Sequence, residues 1–167
     1  MCLRIDSKLK IMAEIIDLNP GDVKVAKPPV RLRTSALGSC VAVALYDKVE
    51  QIGGMAHVML PTTDNYLRGD DPLKYADEAI PYLIKEMVDM GANRYGLHAR
   101  LVGGAMVTED TIDIGARVEK SVEELLEKHG IEIVAKRVGG QENRSTILDT
   151  ATGTLWYSEN GGVEKAL

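Results

Sequence analysis

The sequence predicts an α+β fold: a layered α/β sandwich with a mixed or antiparallel sheet and two main helices. Three observations carry that reading. Short apolar or alternating stretches cluster toward both ends of the chain, two longer stretches between them carry an i, i+3, i+4 apolar stripe, and Gly, Pro, Asn and Asp mark most of the boundaries. The chain has 167 residues, 45% of them hydrophobic and 27% charged, which suits a single domain spanning 1–167 with a real core. Leu3, Ile5, Leu9 and Ile11 follow neither the helical nor the strand period, so residues 1–11 are set apart as an N-terminal arm.

Residues 13–18 and 23–26 flank Asn19-Pro20-Gly21-Asp22, a tetrapeptide that predicts a hairpin or loop. After Pro28-Pro29, residues 30–34 lead into LGSC and the run VAVALY (41–46), which reads as a buried strand. IGGMAHVML (52–60) reads as its hairpin partner. With a four-residue loop at 47–50, Tyr46 faces Gln51, and counting back puts Cys40 opposite His57. Residues 61–72 (PTTDNYLRGDDP) form a polar loop that serves either as a connector or as a substrate contact; its Asp64, Asp70 and Asp71 read as a solvated acidic turn.

Apolar residues at 76, 79, 80, 83, 84, 87 and 88 predict a helix within 73–90, ended by Gly91. Pro81 removes one of its hydrogen bonds and predicts a kink, unless the helix starts near it. A second helix runs from about Asp113 to His129, with Asp113 as cap, Gly130 as stop and a partly charged His129 suited to the dipole. Between the helices, a strand leads to Gly103-Gly104. The pair lacks the lysine of a P-loop and the third glycine of a dinucleotide fingerprint, so it predicts a close backbone approach beside the hairpin. Residues 131–138, 145–149 and 154–157 alternate as strands, separated by turns at 139–143 and 150–153.

Composition excludes several functions. A net charge of −5 argues against nucleic acid, which needs a basic face. No apolar run approaches the roughly 20 residues that cross a bilayer, and the N-terminus is too short and mixed for a signal peptide, so the expected location is cytoplasmic, without membrane insertion. Cys2, Cys40, His57, His98 and His129 show no metal-ligand spacing; no metal and no cofactor is expected.

What remains is a nucleophile and a base. Gly38 and Ser39 let the backbone turn tightly before Cys40 and leave the sulfur uncrowded. An imidazole within reach, His57, favours the thiolate and predicts a depressed thiol pKa. Thr34 offers a hydroxyl to orient the far ring nitrogen, and the backbone around Gly38 and Ser39 offers oxyanion donors. The residues alone leave two other readings open. A lone Cys and a lone His in apolar runs are often plain core groups, and a redox-sensing thiol would need a resolving cysteine that is not near in sequence.

LGSCVAVALYD followed by IGGMAHVMLP closely resembles the chemoreceptor glutamine deamidase family, CheD. KYADEAIPYLIKEM, LVGGAMV, DIGARVEKSVEELL and VGGQENRSTILDTATG extend the resemblance over roughly residues 14–157. It implies a papain-like cysteine hydrolase chemistry on a fold similar to the catalytic domain of cytotoxic necrotizing factor, with the family's Cys, His and Thr falling on Cys40, His57 and Thr34. The implied reaction is hydrolysis of glutamine side chains in methyl-accepting chemotaxis receptors through a thioester, with glutamyl methyl esters as a related substrate. The implied alternative is a non-catalytic adaptor that binds receptors and the CheC phosphatase. Two positions depart from the family pattern: Asn143 stands where a Gly usually precedes the Arg, and Val102 where a Phe usually precedes the Gly-Gly-Ala loop.

Overall fold

Alternating side chains on β4 (Val41–Asp47) divide the protein into two cores, and the layers follow from that division. Val41, Val43 and Leu45 pack with Leu83, Met87, Val118 and Leu126, while Ala42 and Ala44 pack with Leu32, Leu37, Met55 and Leu148. A strand buried on both faces needs an unbroken apolar run, which is what VAVALY supplies. The computed structural model describes residues 12–65, 67–107, 109 and 112–167; the arm at 1–11, with Cys2, lies outside the described residues.

The other strands are β1 (Glu14–Leu18), β2 (Val23–Ala26), β3 (Val30–Leu37), β5 (Ile52–Val58), β6 (Leu97–Gly103), β7 (Glu132–Val138), β8 (Arg144–Asp149), β9 (Leu155–Glu159) and β10 (Lys165–Ala166). One sheet has the order β1-β3-β8-β9-β10 and the other β2-β5-β4-β6-β7. Pairs β1–β3 and β6–β7 are parallel and the rest antiparallel. Helices α1 (Ala76–Asp89) and α2 (Ile114–Lys128) cover the outer face of the second sheet, and the first sheet covers its inner face. The result is the α+β sandwich of mixed sheets and two helices that the sequence predicts. None of its helices, among the described residues, is long and apolar enough to cross a membrane.

Local signals position the helices well. Asp113 accepts from the Ala116 N–H at 2.9 Å as the α2 cap, and Gly130 follows the helix at φ 69°. Within the predicted 73–90, the helix starts at the first residue of its stripe: Pro72–Lys74 make a 3₁₀ turn, extended Tyr75 bridges to Leu60, and α1 begins at Ala76, with Pro81 in its second turn. The polar loop before it is built by its own acids. Asp71 accepts from the Leu73 N–H, and Asp70 from Lys74 Nζ and Tyr75 Oη, each at 2.9 Å.

One expectation is narrowed to its loop alternative and two need correction. The turn at 19–22 forms, but β1 and β2 do not pair with each other. Its Gly21 N–H donates to the His57 carbonyl and its Asp22 carbonyl accepts from the His57 N–H, both at 3.0 Å, so it carries the chain from one sheet to the other. The β4–β5 register is two residues from the predicted one: Asp47 pairs with Ile52, and Ala42 rather than Cys40 lies opposite His57. Asp47 stays in the strand because its buried carboxylate closes the turn, accepting from the N–H groups of Val49 (2.9 Å), Glu50 (3.2 Å) and Asn93 (2.7 Å). His129 does not serve the α2 dipole as a cation. Burial first, then the charges of Arg94 and Lys128, lower its pKa, and Arg94 Nη2 caps the helix instead by donating to the His129 carbonyl at 3.1 Å.

Candidate active site

The inner faces of the two sheets bring Thr34 of β3 against His57 of β5, each no more than 2% exposed. Thr34 Oγ1 lies 2.7 Å from His57 Nδ1 and 3.0 Å from the Leu18 carbonyl oxygen. A hydroxyl has one proton, and a carbonyl can only accept, so Thr34 donates to Leu18 and must accept from Nδ1–H. That chain assigns the imidazole tautomer and leaves the Nε2 lone pair free. Nε2 is buried and has no hydrogen-bond partner among the described residues.

Cys40 reaches this corner through an irregular stretch. The β3–β8 register shifts between Thr34 and Leu37, Ala36 takes φ 56°, and the Gly38 N–H closes back on the Ala36 carbonyl at 3.1 Å. Cys40 then precedes Ala42, the residue opposite His57, by two positions. The predicted register was wrong by an even number, so alternation keeps Cys40 on the side of the imidazole, and Cys40 packs against the same inner core as Ala42. The half-buried sulfur makes no hydrogen bond to the ring.

The electrostatics differ from the sequence expectation. Burial pushes the Cys40 thiol above its ordinary value, against a smaller opposing effect of its own backbone N–H. Burial likewise pulls His57 down, against the Asp22 charge. The resting pair is therefore a neutral thiol and a neutral imidazole, not the depressed thiol expected from an ion pair.

The backbone around the sulfur is clamped. The Cys40 carbonyl accepts from the Gly104 N–H and the Gly38 carbonyl from the Ala105 N–H, both at 2.8 Å. Gly103 sits at φ 122°, where a Cβ would lie 2.1 Å from the Cys40 oxygen. This is the close approach the glycine pair predicts. Of the expected oxyanion donors, Gly38 is withdrawn because its N–H is used within the turn. The N–H groups of Ser39 and Cys40 donate to no backbone carbonyl among the described residues.

Two hollows flank the Cys40 loop. One, of about 450 Å³, is lined by Met106, Val107, Glu109, Gln141 and Asn143; the other, of about 240 Å³, by Ser39, Ala105, Ile112 and Asp113 among others. A hollow of about 530 Å³ between α2 and β7 holds neither a cysteine nor a histidine. His98 is exposed and paired with Tyr46, away from the Cys40 end of β4. Asn143, which replaces a glycine of the family pattern, is not left-handed. That conformation falls on Asn160 (φ 50°), which exchanges hydrogen bonds with Asn143 across the β8–β9 pair. Sequence reasoning missed the Leu18 carbonyl and the Gly104 amide, because a backbone group carries no residue-type signal. It also passed over Arg144, a charge only 2% exposed.

Residues 59–159 match the family model described as CheD chemotactic sensory transduction. The chain is 43% identical over 142 residues to the probable chemoreceptor glutamine deamidase CheD 1 of Methanosarcina acetivorans, covering 84% of this chain and 89% of that protein. It is 38% identical over 151 residues to the probable chemoreceptor glutamine deamidase CheD of Clostridium botulinum, covering 87% and 93%. Among solved structures it is similar to the Bacillus licheniformis hypothetical protein YfiH, with a TM-score of 0.44 and 14% identity, over 77% of this chain and 60% of that one.

Proposed function

The chain belongs to the CheD family, and from that premise we propose that it deamidates glutamine side chains of chemoreceptors, with Cys40, His57 and Thr34 as its catalytic residues. The observation that carries the assignment is the imidazole with Nδ1 engaged by Thr34 and a buried Nε2 without a partner among the described residues, on the side of the sheet where Cys40 stands.

Because the resting pair is neutral, proton transfer accompanies attack. Nε2 takes the thiol proton as the sulfur bonds to the glutamine carboxamide carbon. The Ser39 and Cys40 N–H groups stabilise the oxyanion. The imidazolium then returns the proton to nitrogen as the C–N bond breaks, releasing ammonia and leaving a thioester. Water, deprotonated by Nε2, cleaves the thioester to give glutamate and the free thiol. Thr34 holds Nδ1–H throughout, and its bond to Leu18 keeps its lone pairs toward the ring. A glutamyl methyl ester reaches the same acyl-enzyme with methanol as leaving group. The proposed substrates are the cytoplasmic portions of methyl-accepting receptors, which supports a cytoplasmic location. The family resemblance adds the CheC phosphatase as a second partner, and docking without turnover is the competing role.

One experiment separates these roles. A receptor cytoplasmic fragment is incubated with the protein and its peptides are weighed for amide-to-acid conversion, while a pull-down of the same fragment, and of CheC, reports docking. Cys40→Ala abolishes conversion and leaves docking largely intact, because interface energy is concentrated in a few anchor residues. Conversion that survives Cys40→Ala overturns the cysteine mechanism. Firm docking with no conversion by the wild type favours the adaptor.

A further inference from the structure

We infer that Arg144 is a positioning residue for the reaction: its guanidinium fixes the Gly103–Gly104 peptide, and that peptide holds the backbone of Cys40. The inference rests on Cys40 being the nucleophile.

Arg144 opens β8 in the first sheet, opposite Leu37 of β3. Its Nη1 leaves that sheet to donate to the carbonyls of Gly103 (3.1 Å), the last residue of β6, and Gly139 (2.7 Å), the residue after β7, in the other sheet. Nε donates to Glu159 at 3.1 Å and Nη2 reaches Glu142 at 3.4 Å. A buried cation is costly unless it is paired and hydrogen-bonded, and this one is both. Only a planar fork spans two carbonyls and two carboxylates at once; an ammonium does not.

The consequence for Cys40 follows from peptide geometry. The Gly103 C=O and the Gly104 N–H belong to one planar trans unit and point in opposite directions. Arg144 and the Gly139 N–H, at 3.1 Å, both grip the oxygen, so the N–H is aimed the other way, at the Cys40 carbonyl 2.8 Å off. Without that grip, two successive glycines at φ 122° and 64° are the loosest backbone in the neighbourhood. The same clamp steadies the larger hollow beside the site, because the Met106 N–H donates to the Gly140 carbonyl at 2.8 Å.

The test compares Arg144→Lys and Glu159→Gln with Arg137→Gln. Arg137 also pairs with Glu159, but its guanidinium donates to neither the Gly103 nor the Gly139 carbonyl. For each variant, kcat and KM on a receptor fragment, the melting curve and the pH profile of iodoacetamide alkylation are measured, with alkylation read at Cys40 by peptide mass so that Cys2 does not contribute. Arg144→Lys lowers kcat by about 100-fold, the scale of a small misplacement of a reacting group. It leaves KM within about threefold of wild type, and it moves the Cys40 alkylation profile to higher pH as the N–H beside the sulfur loses its hold. Glu159→Gln does the same more weakly, and Arg137→Gln leaves kcat, KM and the alkylation profile unchanged. A folded Arg144→Lys protein with wild-type kcat and alkylation profile overturns the inference. So does a loss of kcat that merely tracks melting temperature and appears equally in Arg137→Gln. Should Arg144→Lys fail to fold, Glu159→Gln decides, and wild-type values in it overturn the inference. Cys40→Ala is run alongside: conversion that survives in it overturns the cysteine reading, and conversion lost in it with Arg144→Lys unaffected overturns only the clamp.

Discussion

The two ends of the β4–β5 pair bury polar side chains equally deeply and treat them in opposite ways. At the turn, Asp47 is 1% exposed and both its oxygens are used, by the N–H groups of Val49, Glu50 and Asn93. Beside it, Tyr46 Oη donates to the Thr150 carbonyl at 2.9 Å and Thr150 Oγ1 to the Val30 carbonyl at 2.6 Å. At the other end His57 is 2% exposed, spends Nδ1 on Thr34 and leaves Nε2 without a partner among the described residues. An unmet buried polar atom costs about 1–3 kcal/mol. One hairpin that satisfies its structural end completely and leaves that cost at the other is what the proposed role of His57 as proton acceptor requires. Asp77 Oδ1 is also unmet, but its partner oxygen accepts twice from Thr63, and it sits in the first turn of α1, where the helix dipole offsets a negative charge.

The sharpest way to break this contrast is Cys40→Ala. Turnover of receptor glutamine falls by about 10⁴-fold or more, while the melting temperature moves by about 3 °C or less. A melting temperature lowered as far as that of a variant at the turn end would mean the two ends are alike. Asp47→Ala gives the mirror image. It strands the N–H groups the carboxylate accepts and destabilises the fold by about 3 kcal/mol, with kcat per folded molecule unchanged. Denaturant unfolding and active-site-normalised kinetics on the same sample check both halves.

Thr34 refines the picture at the His57 end. Thr34→Val keeps the shape but removes the acceptor that selects the Nδ1–H tautomer, and kcat drops by about 100-fold. Thr34→Ser keeps the oxygen and stays near wild type. Equal rates for the two would reduce Thr34 to packing. The smallest effect lies at Glu159, whose carboxyl is lowered from 4.5 to about 2, chiefly by Arg137 and then by Arg144. A depressed carboxyl pKa contributes stability that is present above the unfolded value and is lost as pH falls through the folded one. The melting difference between wild type and Glu159→Gln is therefore constant above about pH 5 and shrinks toward pH 2. Solvent screening keeps it to about 1 kcal/mol. A difference that grows on acidification would reverse the sign and refute the pairing.

Much of this contrast was legible in the chain. The apolar run of β4, the glycine-rich strand after it and the turn chemistry between them identify the hairpin. An even error in register still leaves Cys40 and His57 on one side, because side-chain direction has a period of two. Asp113 and Gly130 bound α2 by bonds that reach no further than a turn of helix. The pairing of β1 with β3 rather than β2 was not legible, because the turn's own N–H and C=O groups bond to His57, a residue more than 30 positions away.

By itself, then, the sequence determined what depends on near neighbours: two capped amphipathic helices, a buried strand pair, a family resemblance in short motifs, and Cys40, His57 and Thr34 as the candidate side chains for the proposed chemistry. Only the tertiary structure decided their states. Thr34 becomes an acceptor because β1, parallel to β3, presents the Leu18 carbonyl to its proton. The thiol rises and the imidazole falls because stacking two sheets takes both out of water. Gly104 faces Cys40 because a guanidinium from the other sheet holds the far side of its peptide. Each of these joins residues distant in sequence, through backbone atoms or through burial, and neither leaves a mark on residue type.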